Sequence, residues 1–471
     1  MKKKTIRRWI GGIAGSILLL LILLQATFFF FGDEILKKSI LLGFERYSRE
    51  AFEPSRQPSL DFENLSLNLI TGNITISGLY FAGYLPTQND GVAADYIRLE
   101  VPEARIEGVD FLSVYQERVV TLEHIRFLNP DIQLLKAEKE DSLKMDAQES
   151  IRASTASLHQ LLSPYLKTFA FDRLQVQDGN LFITRQGRAP TASNQLHAEH
   201  VYISLYDFLL DSLSLENKER IFFTRHFEVQ LGDYQIVTPD SSYLVRSDTL
   251  GYSSREERIY LKNLRALPLI TDSSRANVRL SVPELSLTAV NWKEIYFDSL
   301  FHAEELLIER PEIALKTRYR ADSLDGRFHF SLGNLSTEQL YPLLEEKFRA
   351  FSVRNLLLKE GRLRLHEDGA DSIHLLTIHE IGLRLGGIRL NSSDRRDSLH
   401  QVFPADTLSL DLKKLKLYLP DRKHFLTARQ ASFTTSSSQD YLCQVMLDSV
   451  DIKPGYDSLE QLLLLPPQQK I

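Results

Sequence analysis

From Leu60 onward, apolar side chains recur at every second position, the period of a strand with one buried face. Leu65, Leu67 and Leu69 alternate, then Ile74 and Ile76, with Gly72-Asn73 as the turn between them. The same period runs through Ile97/Leu99/Val101, Leu174/Val176, Leu181/Ile183, Val201/Ile203/Leu205 and Phe227/Val229/Leu231. Later it returns in Leu356/Leu358, Leu363/Leu365, Ile381/Leu383/Leu385, Leu408/Leu410/Leu412 and Leu415/Leu417/Leu419. Short runs separated by short polar gaps predict antiparallel hairpins, and Asp178-Gly179-Asn180 reads as one of their turns. Single Asp-Ser or Asp-Thr pairs before an aliphatic residue, as at Asp211 and Asp248, fit turn chemistry rather than a clustered cation site.

Helical spacing is confined to a few places. Asp33 to Phe52 places Leu36, Ile40, Phe44 and Tyr47 on one face, a helix that suits either a membrane surface or the cap of the first strand. Ala147–Leu166 and Ser336–Phe351 read as two further helices, the second with Ser336 as N-cap. Trp9 to Phe31 holds no charge and is long enough for a helix to span a bilayer. It ends in four phenylalanines rather than small residues, which predicts an uncleaved anchor. The five Lys and Arg before it keep the N-terminus cytoplasmic and place the remainder across the membrane.

The chain also repeats itself. Ile97–Leu134 aligns without a gap on Val278–Leu315, with 11 of 38 positions identical, including Pro102/Pro283, Pro130/Pro311 and Ile132/Ile313. The register continues through Phe169–Ile183 against Phe351–Leu365, where Gly179 meets Gly361. Self-similarity of this kind decides architecture before other signals. It divides the chain into a basic tip and anchor (1–32), a juxtamembrane helix with the first hairpins (33–96), two β units (97–270 and 278–453) and a tail (454–471).

Composition narrows the function. Formal net charge is −6 although the first eight residues are strongly basic, so the body is acidic and unsuited to nucleic acid. There is one cysteine, Cys443, in the apolar strand YLCQVML, where buried packing is the default. His197 and His200 are three apart in a strand, a spacing that sends them to opposite faces and suits a metal poorly. Asp368-Gly369-Ala370-Asp371 reads as a solvated loop. Nucleophile elbows, zinc-protease motifs and phosphate-cradling loops are absent from the sequence. The expectation is a protein without catalytic residues, metal or cofactor, and not an enzyme.

A leucine-rich face repeated over this length needs a cover. Periodicity leaves two solutions open: a pair of β-sandwiches, or one long curved antiparallel sheet whose apolar face forms a groove.

The run LSLNLITGNITISGLYFAG, followed by YIRLEVPEARIEGVDFLSVYQERVVTLEHIRFLNPDIQLL, bears on that choice. With its N-terminal anchor, Gly-turned first hairpin, short helical FLSVYQ and Asn-Pro-x-Ile-x-Leu ending, it resembles the AsmA-like, TamB-related family. Leu174–Ile183 resembles that family's next hairpin, and the pattern recurs over Val278–Leu365. The resemblance implies a mainly β groove behind a single transmembrane helix, with a few accessory helices. It also implies a bacterial inner-membrane location with the bulk in the periplasm, and a role in conducting phospholipids for envelope maintenance. Phospholipids or other acyl lipids are then the partners. A scaffold that binds outer-membrane or other envelope proteins through its sheet edges is the alternative. Candidate lining residues are Leu65, Leu67, Leu69, Leu174, Val176, Leu181, Ile183, Leu356, Leu358, Leu363 and Leu365.

Overall fold

A computed structural model describes residues 33–51, 57–68, 70–84, 95–136, 166–185, 195–214, 217–238, 243–269, 277–317, 348–367, 374–391, 405–419, 424–436 and 442–454. The anchor at Trp9–Phe31, nearly all of the helix at Ala147–Leu166, most of that at Ser336–Phe351, and the Asp368–Asp371 loop lie outside these residues. Ala350 and Phe351, assigned above to a helix, instead open a strand. Among the described residues no helix is long and apolar enough to cross a membrane.

The described chain is mainly β. Helix α1 (Asp33–Ala51) precedes strands β1 (Ser59–Asp61), β2 (Asn64–Asn68) and β3 (Asn73–Tyr84). It lies against β1 and β2. Lys37 Nζ donates to the Glu63 carbonyl at 3.3 Å and pairs with Asp61 at 3.7 Å. The Ser48 hydroxyl donates to the Pro58 carbonyl, and Phe44 meets Phe81 edge-on at 6.4 Å. The packed face therefore runs through Leu41, Phe44 and Ser48, while Ile40 is exposed. Of the two roles open to this helix, the contacts show it covering the first strands, a common protection for a sheet edge.

Each repeat builds the same series. In the first it is β4 (Tyr96–Glu107), α2 (Phe111–Glu117), β5 (Val119–Leu128), β6 (Asp131–Lys136), β7 (Thr168–Arg185) and β8 (Gln195–Leu210). After β9 (His226–Val237), β10 (Tyr243–Ser253) and β11 (Arg258–Pro268), the series returns. It now reads β12 (Asn277–Thr288), α3 (Trp292–Asp298), β13 (Leu300–Glu309), β14 (Glu312–Thr317), β15 (Ala350–Glu367) and β16 (His374–Asn391). Strands β17 (Thr407–Tyr418), β18 (His424–Ser436), β19 (Leu442–Asp448) and β20 (Asp451–Pro454) follow. Both short helices are capped alike. The Asp110 carboxylate accepts from the Leu112 and Ser113 amides and the Asn291 side chain from that of Glu294; Arg118 and Ser299 end the helices in the left-handed conformation.

The sheets are mixed, which corrects the expectation of purely antiparallel pairing. β5 and β6 both run parallel to β7, and β13 and β14 both run parallel to β15. Parallel neighbours need a long crossover. Residues 137–167 and 318–349 supply it at matching points of the two copies.

A second correction concerns the short runs, which fuse into long strands that turn a corner. Asn129-Pro130 separates β5 from β6 and Arg310-Pro311 separates β13 from β14, with Asn129 at φ 50 and Arg310 at φ 48. Alongside, β7 bends at Asp178 (φ 56) and β15 at Glu360 (φ 54) without ending. The Asn180 amide donates to the Pro130 carbonyl at 2.7 Å, and the Arg362 amide to the Pro311 carbonyl at 2.7 Å. Asp178-Gly179-Asn180 is thus a bulge, with the register passing from Val176↔Ile203 to Gly179↔Val201 and Leu181↔Ala198. Asp-Gly-Asn favours positive φ in a bulge as readily as in a turn, and Pro130 packed against Gly179 selects the bulge.

Two successive residues face outward at each corner, and again between Phe171 and Leu174 and between Val353 and Leu356, so the apolar residues of β7 step as Phe169, Phe171, Leu174, Val176, Gly179, Leu181, Ile183. Those of β15 step identically as Phe351, Val353, Leu356, Leu358, Gly361, Leu363, Leu365. The extra outward residue keeps one face apolar along the whole strand. It also overturns the reading of His197 and His200. Ala198 and Val201 are both fully buried although three apart, so both histidines lie on the outward face.

The chain forms two compact units that divide within β9, between Leu231 and Gly232. Strands β1 to β8 belong to the first and β10 to β20 to the second.

Candidate functional site

Apolar rows cross each unit. In the first, Leu67, Ile74, Ile106, Ile125, Leu174 and Leu205 are successive register partners from β2 through β8. In the second, one row passes from Leu250 and Leu261 through Leu285, Ile308, Leu358 and Leu383 to Leu410, Phe433 and Val445. At about 4.8 Å between strands, that row spans roughly 40 Å. A second row of the same unit joins Leu280, Ile313, Leu363, Ile378 and Leu415.

The candidate residues fall on these faces. Leu65, Leu67, Leu174, Val176, Leu181 and Ile183 belong to the first unit; Leu356, Leu358, Leu363 and Leu365 belong to the second. Leu69 lies outside the described residues. Leu65, Val176 and Leu365 are buried, whereas Leu67, Leu174, Leu181, Ile183, Leu356, Leu358 and Leu363 are half-buried. Neighbours in the same row cover their flanks. A core between two packed sheets buries such residues almost completely.

Two clusters of buried residues sit at one end of the strands, while Val101, Ala198, Val201, Val282 and Leu365 are buried elsewhere along them. Leu122, Ile125, Phe171, Phe208, Leu210 and Phe223 form one cluster, in which Phe171 stacks on Phe208 at 4.4 Å. The chain after β8 hooks back to close it, the Leu209 amide donating to the Phe223 carbonyl and the Arg225 amide to that of Tyr206. In the second unit Val290, Phe301, Ala303, Val353 and Ile388 are buried against Trp292 and Ile295 of α3. These clusters were not singled out in the sequence because their members share the period of every other strand residue.

The outward face carries most of the charged residues. Arg126 pairs with Glu107 at 2.7 Å, Arg354 with Glu304 at 2.7 Å and Arg362 with Glu312 at 3.1 Å, and Lys413 also pairs with Glu380. Exposed pairs of this kind add little to stability and mainly keep the face hydrated. At the corner, Asn129, Gln175, Gln177, Asp178, Tyr202 and Ser204 help line a depression of about 320 Å³. His200 Nδ1 lies 2.6 Å from Asp178 there, while the His197 ring stacks on Phe182 at 4.3 Å. Both histidines are thus occupied with strand neighbours.

Comparison with known proteins adds no assignment: no protein-family model and no curated protein matches the chain.

The last strands differ from the rest. In β19 and β20 and the link between them, Val445, Met446, Leu447, Val450 and Ile452 are all exposed. Among the described residues β19 has a register partner only in β18; the packing expected of Cys443 concerns a side chain that lies outside the described ones.

Proposed function

We propose that this chain holds or conducts acyl lipids on the apolar faces of its sheets, as a membrane-anchored periplasmic protein of the AsmA-like type serving envelope maintenance. The observation that carries this reading is the half-buried state of Leu174, Leu181, Ile183, Leu356, Leu358 and Leu363 within rows that cross whole units. Acyl chains laid on such a face leave water, which favours binding by about 0.8 kcal/mol per CH₂. Headgroups remain in water beside the polar outward residues. The outward residue added at each corner bends the strand, a device that gives a sheet curvature without breaking its apolar face.

The resemblance to the AsmA-like family supports the location and the class of cargo. The anchor Trp9–Phe31 places the described strands beyond the inner membrane in this reading. A second reading, a scaffold that binds envelope proteins by strand addition, is favoured by one observation: the exposed apolar edge at Val445, Leu447 and Ile452.

Purification of the full chain without detergent, followed by extraction and mass spectrometry, tests the lipid reading. Phospholipid is expected with the unaltered chain and is lost in Leu181→Asp and Leu363→Asp, both of which retain the β circular dichroism spectrum. Lipid-free unaltered protein, or full lipid content in the folded variants, overturns it.

A further inference from the structure

The apolar face of the second unit carries two phenol hydroxyls that its packing does not require. Tyr234 lies on β9 beyond the unit boundary, and Tyr252 on β10 is the register partner of the inward Ile259. At the repeat offset their counterparts are Leu415 and Phe433, both of which sit in inward rows. The same places in the duplicated unit are therefore filled by a side chain without a hydroxyl, in one case the same ring. Tyr252 packs edge-on against Trp292 at 6.0 Å, and the indole Nε1 donates to the Ser253 carbonyl rather than to Tyr252. Neither hydroxyl has a hydrogen-bond partner among the described residues. Burial pushes the Tyr252 phenol up to about 12, Tyr234 adds to that rise, and Tyr234 is itself raised by burial. Both side chains are half-buried, and both hydroxyls stay protonated donors at any physiological pH.

We propose that Tyr234 and Tyr252 hydrogen-bond the ester carbonyls of a glycerolipid whose acyl chains lie along the row starting at Leu250 and along its neighbour through Ile259, Leu287 and Leu306. The inference rests on the lipid reading above and adds a linkage preference to it. Once acyl chains cover the face, a donor in it favours a ligand that brings an acceptor, because a polar group covered and left unanswered is costly. Diacyl glycerolipids have that acceptor at the chain–headgroup junction. Dialkyl ether analogues of the same headgroup and chain length lack the carbonyl.

The test is equilibrium binding of matched diacyl and dialkyl phosphatidylcholine probes to the full chain and to Tyr234→Phe, Tyr252→Phe and the double variant. Unaltered protein should prefer the diacyl probe by about three- to tenfold, the effect of a hydrogen bond or two. The double variant should bind both probes equally, at the dialkyl level. Phe433 is the precedent that a ring without the hydroxyl fits such a place. Equal binding of the two probes by unaltered protein overturns the linkage preference and leaves the lipid reading intact. So does a preference that survives the double substitution. Binding of neither probe overturns the lipid reading itself.

Discussion

Set side by side, β4–β8 and β12–β16 keep the same backbone and little of the same chemistry. Left-handed residues stand at Arg118 and Ser299, at Asn129 and Arg310, and at Asp178 and Glu360. Proline follows the second pair, and glycine follows the third, in both copies. The side chains at the left-handed positions change size, and in two of the three pairs a charge is gained or lost. Duplication has thus retained the places where strands bend and the face that stays apolar, and has left the outward residues free to vary. A singular chemical site would show the reverse.

The corner glycines are where this likeness breaks most easily. A Cβ at Gly179 meets Pro130 Cγ at 2.9 Å and the Pro130 carbonyl oxygen at 3.0 Å, partners that cannot yield without moving the backbone. At Gly361 the nearest atom is Leu358 Cδ2 at 2.7 Å, the end of a flexible side chain, with Ile381 and Pro311 at 3.3 Å. Gly179→Ala is expected to destabilise by about 2 kcal/mol and Gly361→Ala by about 1 kcal/mol or less. Urea unfolding followed by circular dichroism measures both. Equal costs would mean that the two corners are packed alike.

A smaller effect separates the caps. Ser113 donates to the Asp110 carboxylate and holds it below the usual carboxylate range. Its contribution is complete above the ordinary carboxylate pKa and is lost as pH falls through the lowered folded value. Asn291 has no such titration. Amide hydrogen exchange between pH 5 and pH 2, corrected for intrinsic rates, should show Leu112 and Ser113 losing protection while Glu294 keeps it. Parallel loss at both helices would mean that the caps are not what acidification removes.

Much of the fold was legible because period-two alternation survives between the steps of the long strands. The three-residue steps, as from Val176 to Gly179, were not: Asp178-Gly179-Asn180 matches a hairpin turn until Pro130 is known to lie beside it. Nor was the parallel pairing, since only the distance in sequence from Lys136 to Thr168 hints at a crossover. Ten of the eleven candidate lining residues lie among the described residues and on inward faces, which alternation alone could place. Which leucines form a row with which depends on cross-strand register, a property of pairs that no single strand carries. The exposed edge at β19 was hidden for the same reason, because YLCQVML reads like any interior strand.

The central claim is that acyl chains contact the inward face and not the outward one. Photo-crosslinking in lipid-containing cells tests it, with benzoylphenylalanine placed at Leu181 or Leu363 and, on the opposite face, at Gln133 or Arg362. Phospholipid adducts are predicted at Leu181 and Leu363 and absent at Gln133 and Arg362. Adducts of equal yield at all four positions, or at none, would contradict the account.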